Sequence, residues 1–480
     1  MNTQEKPREI GYRILRIFTE IHPGEAPTSL LLTLNVFLLL TAYYIIKPIR
    51  EALILKSYTP EEKSYLYAAQ AVLLIFVVKL FSLIASKVPR QKLISWVTLF
   101  FISNLILFYF LHGFGLSGKA MGIIYFIWVG IFNVLAIAQF WAFANDIYTE
   151  EIGKRLFPIV AFGAVTGGYV GSELTKRLSE SKSVYEMMLV AAGILGLFIL
   201  FTLIIHKREI RIKKKEMAAA PSIAKEEIQI EQEKPLGTGG GFWILWKNRY
   251  LLCIAFFVLL LNFINQNGQY ILDKVSRGAE KKAEQTAISQ GLLPDEEQSK
   301  DQFQEQFYTK FYAGFNIIQN LWAMFLQLFI VSRIFKWFGV RVALFFLPAL
   351  AFGGYAALGL AGASLLLTKW VKAFENGTDY SMMNTTRHAL FLITSRQEKY
   401  KAKAVVDTFF HRTGDALSAF FAFLNITFLN LTMGSIARFN VVFIVIWIVV
   451  GAMIFRLHKK LSASKTEFQI GFPASTSTAR

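Results

Sequence analysis

The feature that most limits what this chain can become is a series of about a dozen stretches, each apolar on every side for roughly 20 residues. That length crosses about 30 Å of hydrocarbon. A helix at the surface of a soluble domain would instead show an apolar stripe and a polar back. A membrane β-barrel would alternate polar and apolar residues over segments of about 10 residues, and no such alternation is present. The composition agrees with helices in lipid: 54% of the chain is hydrophobic, 15% is aromatic and 45 residues are Phe. The expected fold class is an all-α polytopic membrane protein.

The expected spans fall near 29–50, 64–86, 92–112, 120–144, 157–178, 184–206, 248–272, 307–332, 341–363, 366–394, 403–430 and 437–457. A formal charge of +18 could suggest a nucleic-acid partner, but the cations sit in alternate links. Lys87, Arg90 and Lys92 follow the second span, Lys154 and Arg155 the fourth, and Arg333, Lys336 and Arg341 the eighth. Lys207, Arg208, Arg211 and Lys213 open the centre; Arg396, Lys399, Lys401 and Lys403 follow the tenth span; Arg456, Lys459 and Lys460 follow the last. The intervening links are poor in cations, with Lys119 and Arg438 among the few. Lys and Arg concentrate on the cytoplasmic side, so twelve helices with both termini cytoplasmic are expected, and no nucleic acid.

Residues 1–28 form a charged segment that lacks the apolar core of a cleaved signal peptide. Ile10, Ile14, Ile17 and Phe18, set among Arg8, Arg13 and Arg16, suit either an interfacial helix or a disordered tail. Residues 29–206 make the first six-helix half, 207–247 a charged and Gly-rich cytoplasmic linker, 248–457 the second half and 458–480 a cytoplasmic tail. A charged insert at 273–306 is expected outside, either as an extension of its flanking helices, a solvated insert, or a cap for a protein partner. The stretch 140–172, a helix followed by a basic link and a helix with Gly163, Gly167 and Gly171, has a weaker copy at 379–419. Two parallel six-helix halves resemble the plan of major-facilitator transporters, whose site lies near the midplane between halves.

Ionisable groups inside spans cost several kcal/mol at mid-bilayer and so face a cavity or a partner. Lys47 and Arg50 lie three apart on one helix face around Pro48. They suit an anion, Arg offering a bidentate fork; the plain alternative is snorkelling cations paired with Glu51. Asp146, Lys154 and Arg155 suit a charge latch at the inner helix ends. The glycine series suits close helix packing. Asn265 and Gln269, with Asn262, Gln266 and Asn267, place amides on the seventh span, where they read a substrate edge or bond neighbouring helices. Lys372, Glu375, Asp379 and Arg387 share a face of the tenth span, and His411, Arg412 and Asp415 follow in the eleventh. Lys79 reads as a buried counter-ion in the second span. Cys253 is the single cysteine, which excludes an intrachain disulfide. No phosphate loop, no HExxH and no His/Cys metal spacing is present, so no enzyme, metal or cofactor is expected.

At these residues the chain resembles the ATP/ADP translocase (nucleotide transporter) family of plastids and intracellular bacteria. YYIIKPIREALIL is similar to the first-span motif of the form LRxxKD, with Lys47, Arg50 and Glu51 in the charged places. FWAFANDIYTEEIGKRLFP resembles FWxFAN followed by an acid and KRFYP, and Asp146 takes the acid. TRHALFLITSRQEKYKAKAVVDTFFHRTGDALSA resembles the motif of the tenth and eleventh spans. Two positions depart: Gln269 stands for an acid in the second half, and Asp415 for the Lys of RxGK. Both departures alter charges implicated in nucleotide binding and exchange. The resemblance implies a transport role in a bacterial inner membrane, with ATP-type nucleotides as the family's substrates.

The expected function is therefore an alternating-access carrier of an organic anion, a nucleotide or related phosphorylated solute. Lys47, Arg50, Asn265, Gln269, Asp379 and Arg387 are the expected substrate contacts. Asp146, Lys154, Arg155, Arg412 and Asp415 are the expected gate or coupling groups. The alternatives are a proton-coupled carrier of a neutral solute, and a membrane scaffold that docks a partner through 273–306.

Overall fold

Every regular element in the described part of the chain is helical, as the apolar runs require. The computed structural model describes His22, residues 25–219 and 241–470, apart from 86–87, 89, 116–117, 149, 295, 392, 396–397 and 399–401. Helices α1 (Glu25–Ser57), α2 (Pro60–Ala85), α3 (Arg90–Gly113), α4 (Lys119–Ile147), α5 (Glu150–Leu178) and α6 (Val184–Ala219) come first. A seven-residue helix, α7 (Gly241–Lys247), precedes α8 (Arg249–Ser289) and α9 (Glu297–Phe325). Then come α10 (Val331–Trp337), α11 (Gly339–Ala343), α12 (Phe346–Ala361), α13 (Leu365–Thr378), α14 (Asn384–Leu390), α15 (Lys403–Val405), α16 (His411–Leu424) and α17 (Met433–Ile470).

Among the described residues nine helices are long and apolar enough to cross a membrane. The other three expected spans, the fifth, tenth and eleventh, are helical as well. In α5 the apolar run is diluted by Glu150, Glu151, Lys154 and Arg155 at its start. The tenth and eleventh are interrupted by π-helical turns at Asp379–Met383, Val406–Phe410 and Asn425–Leu429. A fourth such turn, Leu326–Ile330, joins α9 to α10. An added residue per turn bends a helix and turns its later side chains to a new face.

The chain divides into two compact units, each made of two stretches of sequence. The first holds residues up to Lys234 together with Arg277–Met324; the second holds Pro235–Ser276 and Phe325 onward. The reason lies in the charged insert. Helix α8 has 41 residues, about 60 Å of helix and twice the hydrocarbon thickness. Its far end and the start of α9 form a hairpin that extends both helices. Within the first unit that hairpin is held by ion pairs: Lys56 Nζ lies 2.6 Å from Asp301 and 2.9 Å from Glu305, and Lys310 Nζ lies 2.8 Å from Glu180. Arg277 donates to the Tyr58 carbonyl at 2.8 Å, and Tyr308 to Glu280 at 3.3 Å. Segment 1–21, most of the linker and the end of the tail lie outside the described residues. Lys79 is exposed rather than buried, on a face of α2 that it shares with exposed Ile75, Phe76 and Leu83.

Each unit has an aromatic core. In the first, Trp128 stacks on Tyr125 and Phe132 and meets Phe101 edge-on. In the second, Phe421 stacks on Phe439, and Trp447 and Phe257 pack nearby in the same cluster. The glycine series explains how α5 lies against α1. A Cβ on Gly163, Gly167 or Gly171 would run into the carbonyl oxygens of Thr33, Phe37 and Thr41 respectively, closer than real Cβ atoms approach. The spacing of four on both helices keeps the two backbones in contact for three turns. Thr175 adds a bond from its hydroxyl to the Tyr44 carbonyl at 3.2 Å. The second unit repeats this once: a Cβ on Gly414 would lie 2.7 Å from the Leu259 carbonyl oxygen.

This packing is testable. Gly167→Ala should lower the unfolding temperature of the detergent-solubilised protein, as overpacking typically costs about 1–3 kcal/mol. Gly193→Ala, where nothing lies within 4 Å, should leave it unchanged or raised. Equal melting curves for the two variants would contradict the close approach.

Candidate functional site

In the first unit the second half of α1 and the first turn of α2 carry a buried charge cluster. Arg50, Glu51 and Lys63 are 8%, 3% and 0% exposed. Glu51 is the centre: Arg50 binds one of its carboxylate oxygens, with Nε at 3.0 Å, and Lys63 ion-pairs with the other. Arg50 Nη2 also donates to the Tyr67 hydroxyl at 3.2 Å. Aromatic faces surround the cations. The Arg50 guanidinium lies 5.2 Å from the Phe126 ring centroid, and Lys63 Nζ lies 5.8 Å and 5.7 Å from those of Tyr67 and Tyr312. An unpaired ion in such surroundings costs several kcal/mol; the shared carboxylate and the ring quadrupoles offset that cost. Lys47 is half-buried one turn earlier, its Nζ 5.3 Å from the Tyr44 ring.

In the second unit a separate network surrounds Glu375. Lys372 Nζ lies 3.0 Å from Glu375 and donates to the Asn265 carbonyl at 2.7 Å. Tyr355 donates to Glu375 at 2.7 Å, and Asn265 donates to Asn376 at 3.0 Å. Gly268 makes this possible, because a Cβ there would overlap the Tyr355 hydroxyl. Asp379 follows Glu375 by one turn, at the start of the π turn, and its Oδ1 is buried without a hydrogen-bond partner. Asp415 is buried and accepts from Arg412 at 3.1 Å and from Gln266 at 3.2 Å. Gln269 donates to Asp273 at 2.8 Å. Asn267 links to Asn440 at 3.0 Å and receives a bond from Ser418 at 2.7 Å.

The sequence-derived candidates therefore fall into distinct places. Lys47 and Arg50 belong to the α1 cluster. Asn265 and Asp379 lie in or beside the Glu375 network, and Gln269 is tied to its own helix. Arg387 is half-buried in a small cavity of about 130 Å³ with Asn384, His388, Lys403, Asp407 and His411. Arg412 and Asp415 form an ion pair. Arg155 forks onto Glu25 at 3.1 Å and 2.6 Å, a geometry that suits two parallel N–H···O bonds. Asp146 is exposed near the end of α4, and the Lys154 side chain lies outside the described residues.

Three functional-looking groups had no clear signal in sequence. Lys63 stands among Glu61, Glu62 and Ser64 and reads as a loop residue. Glu25 precedes the first apolar run. Tyr355 looks like one more ring in an apolar helix.

The Glu375 network yields a double-variant test. Glu375→Ala alone should cost about 3–5 kcal/mol of stability by leaving Lys372 buried without its carboxylate. Replacing both partners with apolar residues, Lys372→Met with Glu375→Leu, should recover most of the loss in thermal unfolding. A double variant as unstable as Glu375→Ala would contradict an ion pair held in an apolar interior.

The fold is shared with solved transporters. A point mutant of the nucleoside transporter NupG superimposes with a TM-score of 0.59 at 12% identity, covering 89% of this chain and 100% of that one. A POT family transporter in complex with 5-aminolevulinic acid gives 0.56 at 13% identity, covering 90% of this chain and 96% of that one. At such identities the likeness is one of fold. No curated protein sequence matches the chain. The chain is a polytopic helical membrane protein of transporter fold, and the profile of the TLC ATP/ADP transporter family matches its residues 119–266.

Proposed function

We propose that the protein is a bacterial inner-membrane carrier that moves an organic anion, a nucleotide or related phosphorylated solute, by alternating access. The observation that carries this reading is the Arg50–Glu51–Lys63 cluster. Ionised groups kept inside a helical bundle mark substrate paths, and this one sits on a chain of transporter fold with a nucleotide-transporter family match. The mechanism is an exchange of partners. Glu51 occupies the guanidinium fork of Arg50, and an incoming phosphate takes the same fork. Binding then depends on releasing Glu51 to Lys63, which already holds its other oxygen. A ligand that competes with an internal ion pair shifts the protein between two charge arrangements. Lys47, one turn away, supplies a second cation to a polyphosphate.

Within the second unit, Asn265, Gln269, Asp379 and Arg387 are proposed substrate-binding residues, and within the first, Asp146 and Lys154 are proposed gate groups. Arg155–Glu25 in the first unit and Arg412–Asp415 in the second are proposed latches, each an ion pair that one state keeps and the other breaks. A second reading, a proton-coupled carrier of a neutral solute, is favoured by the buried, unpartnered Asp379 oxygen, which suits a carboxyl that gains and loses a proton. The scaffold reading has less support, since Asp301 and Glu305 of the insert already engage Lys56 of the protein itself.

Purified Arg50→Ala protein should bind ADP or ATP at least about tenfold more weakly than the parent, the loss of one charge-assisted contact of roughly 1.5–3 kcal/mol. Arg50→Lys should fall between. Unchanged nucleotide affinity in folded Arg50→Ala protein would remove Arg50 from the site.

A further inference from the structure

The corner where α7 meets α8 carries an exposed feature that transport does not use. Helix α7 reads GFWILWK. Leu245 is fully buried in the core of the second unit and Ile244 packs against that core. The opposite side therefore faces outward. Trp243 and Trp246, three apart on one face, are 62% and 70% exposed, and Phe242 beside them is 51% exposed. The Phe242 ring meets the exposed Phe409 ring at 5.1 Å. Indoles bared at the water-side end of a membrane-length helix such as α8 are characteristic of the bilayer interface, where an apolar ring meets the head groups.

An open cavity of about 490 Å³ adjoins them, lined by Trp243, Lys247, Asn248, Arg249, Ser395 and Glu398 among others. Its one carboxylate is engaged. Glu398 accepts the Asn248 side-chain amide at 2.7 Å and the Ser395 backbone N–H at 2.8 Å. Ser395 Oγ in turn accepts the Glu398 N–H at 3.4 Å. The two cations are not tied down in this way. Lys247 lies over the Trp243 ring at 4.6 Å, and neither Lys247 nor Arg249 makes an ion pair among the described residues. Two exposed cations at the mouth of a cavity suit a phosphate oxygen. A free phosphate would leave both indoles in water. A phospholipid covers both features at once, its phosphate on the cations and its glycerol and upper acyl chains on the rings.

We propose that the α7–α8 corner is a binding site for an anionic phospholipid, with Lys247 and Arg249 holding the head-group phosphate and Trp243 and Trp246 packing on the glycerol and acyl region. The site fixes the end of the linker to the nearer leaflet. It is independent of the transport reading and stands if that reading fails.

The test uses the full-length purified protein in detergent. Phosphatidylglycerol and phosphatidylcholine are titrated, and bound lipid is counted by native mass spectrometry. Phosphatidylglycerol should be retained over phosphatidylcholine, and Lys247→Gln with Arg249→Gln should weaken its binding at least about tenfold. Brominated phosphatidylglycerol should quench tryptophan emission, and Trp243→Phe with Trp246→Phe should lose most of that quenching. This second pair keeps the test valid if the charge variant does not fold. Equal phosphatidylglycerol binding by parent and charge variant, or quenching unchanged in the Trp variant, overturns the proposal. Displacement of the lipid by inorganic phosphate or glycerol 3-phosphate at equal concentration also overturns it, by making this a soluble-phosphate site.

Discussion

The structure depends on how it keeps charge inside an apolar helical bundle. Each unit solves the problem with a carboxylate that serves more than one donor. Glu51 is shared by Arg50 and Lys63 in the first unit, and Glu375 by Lys372 and Tyr355 in the second. A buried ion without a partner costs several kcal/mol, so the helices bearing these groups are constrained to meet where the partners lie. Backbone contact supplies the rest of the constraint. Gly163, Gly167 and Gly171 let α5 touch α1 along the turns that lead up to Lys47 and Arg50.

The two units handle their helices differently. In the first, the helices of the described residues are regular, and α1 passes Pro48 without ending. In the second, π turns at Leu326–Ile330, Asp379–Met383, Val406–Phe410 and Asn425–Leu429 interrupt the described helices, and one begins at Asp379 beside the Glu375 network. Each such turn changes which face later side chains present. That is why Asp379 and Arg387, eight residues apart and on one face of an ideal helix, sit in different surroundings: one has a buried oxygen, the other lines a small cavity with two histidines.

Much of this was legible in the sequence for simple reasons. Apolar runs of membrane length read directly as helices, and a Gly every fourth position reads as a packing face. Lys47, Arg50 and Glu51 stood out because charge within an apolar run is costly. What escaped was the identity of partners across helices. A helical wheel places Arg50 and Glu51 on α1, but nothing in the run of Glu61, Glu62 and Lys63 says that Lys63 is fully buried against Glu51. Lys79 shows the converse: an apolar setting in sequence did not mean burial, because the face of α2 that carries it is turned outward. The insert was ambiguous because charged helix and charged loop share a composition; most of its described residues continue the helices Arg249–Ser289 and Glu297–Phe325.

The central claim is that the buried Arg50, held with Lys63 on Glu51, serves the passage of an anion. Counterflow in proteoliposomes tests it most directly: protein reconstituted with internal unlabelled nucleotide, external labelled ADP or ATP, and uptake followed at two pH values. The account predicts nucleotide-dependent accumulation of label that is absent from protein-free vesicles and strongly reduced in Arg50→Ala. Absence of uptake for every nucleotide tried, with a neutral solute carried instead in a pH-dependent way, would contradict it.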